Sequence, residues 1–135
     1  MTTGWPAPRI GYLLTAAMAG RRYGEASEMW RELDESAQFD VINALGAQAR
    51  LAVAEAGVPL EIDFTELADA HCPDALAAVK AAYEDSGPWL PPQCPRCREL
   101  VASALADIQI QAGAAAGMPP SYVDLICRGQ AVGGA

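Results

Sequence analysis

Residues 95–117, PRCRELVASALADIQIQAGAAAG, decide the fold class. Pro95 suits the first position of a helix, where its missing N–H costs no hydrogen bond. Behind it Leu100, Val101, Ala104, Leu105, Ile108, Ala112 and Ala115 recur at steps of three and four, which puts them on one face of a helix. Gly117 supplies a C-terminal cap. The pattern predicts a helix from Pro95 to about Ala116, the longest in the chain and its central packing element. The chain around it holds 28 alanines and no β-branched run of strand length. Helix is therefore the favoured state throughout.

Working outward, Ile10, Leu13, Leu14, Ala17 and Met18 form a helical stripe that stops near Gly20. Gly24 reopens the chain into a short helix with Ala26, Met29, Trp30 and Leu33 inward and Glu25, Glu28, Arg31 and Glu32 outward. Asp34-Glu35-Ser36 reads as a helix N-terminus. From it Phe39, Ile42, Leu45, Ala49, Ala52 and Val53 carry an apolar stripe to Ala56, with Gly57 as the cap and Pro59 close behind. Leu60–Phe64 alternates polar and apolar residues without a second strand to pair with, and reads as an extended connector. Asp63 and Glu66 have capping-box spacing for a short helix through Leu67 to about Ala70. Pro73 opens another helix with Leu76, Val79 and Tyr83 inward, ended by Gly87, and Pro88–Pro92 is a stiff linker. The last helix carries Val123, Ile126 and Cys127 inward.

These elements make an all-α protein, a compact bundle or array of about six to seven helices with short connections. A length of 135 residues suits one helical domain, 1–135, with an extended lead at 1–9 and a flexible tail at 130–135. Gly20–Ala26 resembles the turn of a tetratricopeptide hairpin. Its spacing is off by one and no second copy follows at a fixed period, which leaves an ordinary helix hairpin.

A net charge of −8 argues against nucleic acid, whose nonspecific affinity comes from lysine and arginine displacing counterions. The chain has one lysine, Lys80, against eight arginines. Arg21-Arg22 and Arg96 with Arg98 read as exposed helix-end charges. No run of 18 to 20 apolar residues could span a bilayer, and residues 1–6 lack a signal-like basic and hydrophobic order. The expected location is cytoplasmic. In that reducing compartment four cysteines are thiols or metal ligands rather than a disulfide framework. The arginine and alanine bias suggests a GC-rich bacterial or phage source.

The chemistry concentrates at Cys94-Pro95-Arg96-Cys97, echoed by Cys72-Pro73. Each segment sets a cysteine directly before a helix-opening proline, where the helix dipole and unpaired N–H groups favour thiolate. A zinc ion takes four nitrogen or sulfur ligands in a tetrahedron. Cys72, Cys94, Cys97 and His71 are the candidate set, with Cys127 as the alternative fourth ligand. The same pair could serve thiol exchange, with Cys94 attacking and Cys97 resolving, although such motifs normally follow a strand. Cys127 beside Ile126 also reads as core. No phosphate loop, dinucleotide fingerprint or complete nucleophile–base pair is present. The paired carboxylates lie in exposed runs.

Trp5 and Trp89 lie in proline-rich segments rather than helix stripes, as interface anchors do, or as lids folded over the bundle. The resulting expectation is a non-enzymatic module that binds another protein, a regulator, adaptor or assembly factor, with a structural zinc joining two helix starts. A homo-oligomer is the other partner these features permit. The alternatives are a thiol-redox protein using Cys94 and Cys97, and a phage or plasmid accessory protein such as an assembly chaperone or host-factor inhibitor.

Overall fold

The computed structural model describes residues 5–57, 74–84 and 94–133. Within them the chain forms α1 (Ala7–Ala19), α2 (Tyr23–Arg31), α3 (Glu35–Ala56), α4 (Asp74–Glu84), α5 (Pro95–Ala115) and α6 (Pro120–Gly133), and no strand. The all-α reading holds. The connector 60–64, the capping box at Asp63 and Glu66, the linker 88–92, and His71, Cys72 and Trp89 lie outside the described residues.

The helix ends follow from local chemistry. Asp34 is the N-cap of α3, its Oδ1 accepting from the Ala37 N–H at 2.8 Å, and Gly57 closes that helix in the left-handed conformation at φ 66°. At the end of α5 the Met118 N–H donates to the Gly113 carbonyl at 2.8 Å and the Gly117 N–H to Ala114 at 3.0 Å, with Gly117 at φ 84°. The same pattern closes α1, where Arg22 N–H reaches Ala17 at 2.7 Å and Arg21 N–H reaches Met18 at 3.0 Å. There the left-handed position is held by Arg21, at φ 61°, rather than by glycine. The turn pulls α2 back beneath α1.

Five expectations are corrected. Helix α1 begins at Ala7 rather than after residue 9, because Pro6 and Pro8 fall at its N-cap and first turn, where no N–H is needed. Helix α6 continues through the supposed tail to Gly133, since Val123, Cys127 and Ala131 form a buried stripe at steps of four. Ile126, expected inward, therefore lies beside that stripe and is 38% exposed, and Ala115 is exposed at the end of α5. The longest helix is α3, with 22 residues against 21 in α5.

Helices α3 and α5 form the central pair. Val41, Ile42, Leu45 and Ala49 of α3 and Val101, Leu105 and Ile108 of α5 are fully enclosed, and Ile10, Leu14 and Ala17 of α1, Ala26 and Trp30 of α2, and Ala75, Ala78, Val79 and Ala82 of α4 complete the same core. Large side chains come chiefly from the central pair, and alanines let the outer helices approach closely. A second cluster joins Ala16 and Ala19 of α1 to Val123 and Cys127 of α6, with Tyr12, Ile110 and Met118 around it. Helix α1 thus serves two interfaces from two faces. None of the described helices is long and apolar enough to cross a membrane.

Candidate functional site

The cysteine pair opens α5 as its spacing predicts. Cys94 is the N-cap residue, with extended backbone at φ −72° and ψ 122°, and is half-buried. Cys97 lies in the first turn and is buried. Arg98, expected to be an exposed helix-end charge, is instead buried. Its Nε donates to Gln38 Oε1 of α3 at 2.9 Å, and a guanidinium nitrogen lies 3.9 Å from Glu35. Gln38 in turn donates to the carbonyls of Leu33 at 3.4 Å and Trp30 at 3.5 Å. A charge-assisted chain therefore ties the start of α5 through α3 to the end of α2.

Of the proposed zinc ligands, Cys94 and Cys97 share the first turn of α5, whereas His71 and Cys72 are not among the described residues. No group of three or more His, Cys, Asp or Glu is gathered to hold a metal among the described residues. Cys127 stands apart from the pair. It packs near Ile110, thirteen residues beyond Cys97 on α5, which is roughly 20 Å of helix rise. Burial, followed by the Asp124 charge, pushes its thiol up to about 11. Trp5 is half-buried and packed on the main core, with the Arg9 guanidinium 4.4 Å from its ring centroid. It covers the bundle.

At the far end of α5 the structure brings together a site that the stripes did not announce. A groove of about 390 Å³ runs between α1, α3, α5 and α6. Leu51, Ala52 and Ala56 of α3 form one wall, Ile126 and Cys127 of α6 the other, and Ala112 and Gly113 of α5 the floor. Gly113 is required there, because a Cβ would come 2.5 Å from a Val123 methyl carbon. Leu51 is 52% exposed at the rim, and Tyr122 stands one turn before Ile126 on α6, also exposed.

The polar groups of the groove are acceptors and retained hydroxyls. Glu55 lies on its wall, and Gln48, whose Nε2 donates to the Pro8 carbonyl at 2.8 Å, leaves its buried Oε1 without a hydrogen-bond partner. Burial, then the neighbouring Cys127 and Glu55, raises the Tyr12 hydroxyl above its ordinary range, so it stays protonated. Below the floor Gln109 donates to Thr15 at 3.1 Å and Thr15 to the Gly11 carbonyl at 3.0 Å, which fixes α1 against α5.

Helix α6, one wall of the groove, is anchored at one point of high polarity. Arg22 forms a fork on Asp124, Nη1 to Oδ2 at 2.9 Å and Nη2 to Oδ1 at 3.1 Å, and Arg128 adds a contact at 3.0 Å from the next turn. Arg22, expected to be an ordinary exposed charge, is thus the tether of α6 to the α1–α2 turn. Gly20 makes room for it, since a Cβ there would come 2.7 Å from the Asp124 carboxylate. These partners lie 102 residues apart, and no local pattern could pair them. Compared with protein-family models, with curated proteins and with solved structures, the chain matches none.

Proposed function

We propose that this protein is a non-enzymatic interaction module, and that the groove between α1, α3, α5 and α6 receives an amphipathic helix with a basic flank from a partner protein. The observation that carries the reading is the groove itself, an apolar channel rimmed by the exposed Leu51 and Ile126. A helix inserting Leu-type side chains at steps of three and four would cover both rims at once. The charge of the partner follows from Glu55, which lines the groove, and from the −8 of the whole chain. A regulator, adaptor or assembly factor would use such a surface.

Cys94 and Cys97 enter this reading as structure rather than as a reactive pair. A zinc ion on them, completed by Cys72 and His71, would brace the opening of α5 without taking part in binding. The thiol-redox alternative rests on the half-buried Cys94 at a helix start, and lacks the preceding strand among the described residues.

The test uses a model helix of leucine and lysine and its leucine and glutamate counterpart, titrated into the labelled protein. The lysine peptide is expected to bind, with shifts centred on Leu51 and Ile126, and Leu51→Asp with Ile126→Asp is expected to weaken it at least tenfold. Equal binding of both peptides, or shifts centred elsewhere, overturns the proposal.

A further inference from the structure

Helices α3 and α5 run in the same direction, so their C-terminal ends come to the same end of the groove. Gln38 near the start of α3 meets Arg98 near the start of α5, and farther along Ala52 and Ala56 line the groove together with Ala112 and Ala116. A helix C-terminus carries about half a negative charge and favours a cation in its last turn. Neither helix has one there, and the last turn of α3 holds Glu55 instead. Glu55 is exposed, forms no ion pair among the described residues, and is the one charged side chain among those lining the groove. An acid set against its own helix dipole, with a second negative helix end beside it, breaks a local rule of helix construction, and such breaks concentrate at functional sites.

Resting on the reading of the groove as a receptor for a helix, we infer that it also sets the direction of that helix, which runs antiparallel to α3 and α5 with its basic residues ahead of its apolar anchors. From Gln48 to Ala56 the groove follows α3 for about 12 Å, room for two turns of a partner helix with apolar side chains at i, i+3 or i+4 and i+7. Antiparallel insertion brings the positive N-terminal end of the partner onto the two negative ends, and a lysine or arginine just before it onto Glu55. Parallel insertion would set three negative ends side by side. The start of α1 does not supply the missing positive end. It meets α3 at Gln48, whose Nε2 donates to the Pro8 carbonyl, about 12 Å short of Ala56 and outside the single turn over which a helix end acts. At that opposite end of the groove Gln48 and Gln109 are uncharged. A partner would therefore be recognised by one or two basic residues followed, not preceded, by apolar residues at steps of three and four.

The test uses two peptides of one composition, sharing a leucine and glutamine body and blocked at both ends, with two lysines placed either before or after the leucines. Each is titrated into the nitrogen-labelled chain. The lysine-first peptide is expected to bind about fivefold more tightly, as suits one helix end and one exposed ion pair. Lysines at the end make the better isolated helix, so this order runs against helix propensity. A nitroxide on the first residue of the lysine-first peptide is expected to broaden the amides of Ala56 and Ala116 more than those of Gln48 and Gln109. Glu55→Gln, at an exposed position, is expected to weaken the lysine-first peptide about threefold and to leave the lysine-last peptide unchanged. Equal affinities, tighter binding of the lysine-last peptide, broadening centred on Gln48 and Gln109, or indifference to Glu55→Gln overturns the inferred direction and leaves the groove a helix receptor. Binding of neither peptide, or shifts centred away from Leu51 and Ile126, overturns both.

Discussion

Helix α4 on α3 and helix α6 on α1 are both alanine-lined contacts, yet they are sealed in different ways. On the first, Gly46 lets the backbone of α4 come down onto α3, and one turn later Arg50 donates to the carbonyls of Ala82 and Tyr83, each at 2.8 Å, which caps the end of α4. On the second, Ala16, Ala19, Val123 and Cys127 make a small apolar patch, and the polar closure is a carboxylate shared by two arginines. The polar closure of the first seam falls on backbone carbonyls, and its helices merge with the main core. The second depends on the charge of Asp124 and leaves Tyr122, Leu125, Ile126 and Val132 exposed on α6. The first seam therefore belongs to the main core, whereas the second closes one wall of the groove.

The sharpest way to break that contrast is Gly46→Ala. The new Cβ would stand 2.7 Å from the Ala82 carbonyl carbon and overlap its oxygen, and both atoms are backbone held by Arg50. Helix α4 would have to move away from the core. Overpacking of this kind costs about 3 kcal/mol, enough to lower the melting temperature by roughly 10 °C. Thermal unfolding followed by circular dichroism checks this. A melting temperature within a degree of the parent would mean that the α3–α4 seam is as yielding as the α1–α6 one.

Asp124→Asn should act more weakly and more locally. In the folded chain the carboxyl of Asp124 lies below its ordinary range, held there first by the hydrogen bonds from Arg22, against the opposing effect of burial, and further by the charges of Arg22 and Arg128. A depressed carboxylate stabilises the fold at pH values above the ordinary carboxylate range, and that contribution is lost as the pH falls through the folded value. Arg22 is over a third exposed and reaches water when its partner is neutral, so the cost is about 1 kcal/mol. The protection factors of α6 amides, taken relative to the intrinsic exchange rate at each pH, should fall in Asp124→Asn at pH 7, and in the parent chain below pH 4, while α3 and α5 remain protected. If α6 exchanges no faster than α3 in either case, the ion pair does not hold the groove wall.

The contrast also separates what the sequence declares from what only folding reveals. Asp34, Gly57 and Pro95 mark helix boundaries because capping and proline placement are decided within a few residues. Alanine is ambiguous by contrast: Ala112 is buried and Ala115 exposed on the same helix, since a methyl group fits either environment. The tail from residue 130 looked frayed for its glycines, yet Ala131 is buried against its neighbours. Buried charge is the least legible feature. Arg98 reads as a solvated helix end until Gln38, 60 residues earlier, is placed against it. The groove that joins Leu51 to Ile126 likewise arises from a pair with no sequence spacing of its own.

The smallest effect lies in the thiols, and it compares the two ends of α5. At pH 8 a thiol pushed up to about 11 is ionised in about one molecule in a thousand, and only the thiolate is alkylated. Cys127 should therefore react with iodoacetamide far more slowly than the half-buried Cys94 at its helix start, and mass spectrometry of the modified peptides measures both rates. Denaturation in urea should bring the rates together, because burial is the first cause of the difference. The pattern at the other end distinguishes the roles of the pair. Protection of Cys94 and Cys97 that is released by a chelator, together with one zinc per chain, would place a metal at the opening of α5. A fast Cys94 with no effect of chelation would leave the motif as a helix start alone. A Cys127 that reacts as quickly as Cys94 would carry a different lesson: α6 would be lifting from α1 often enough to expose its buried stripe, and the groove would be a moving surface rather than a formed one.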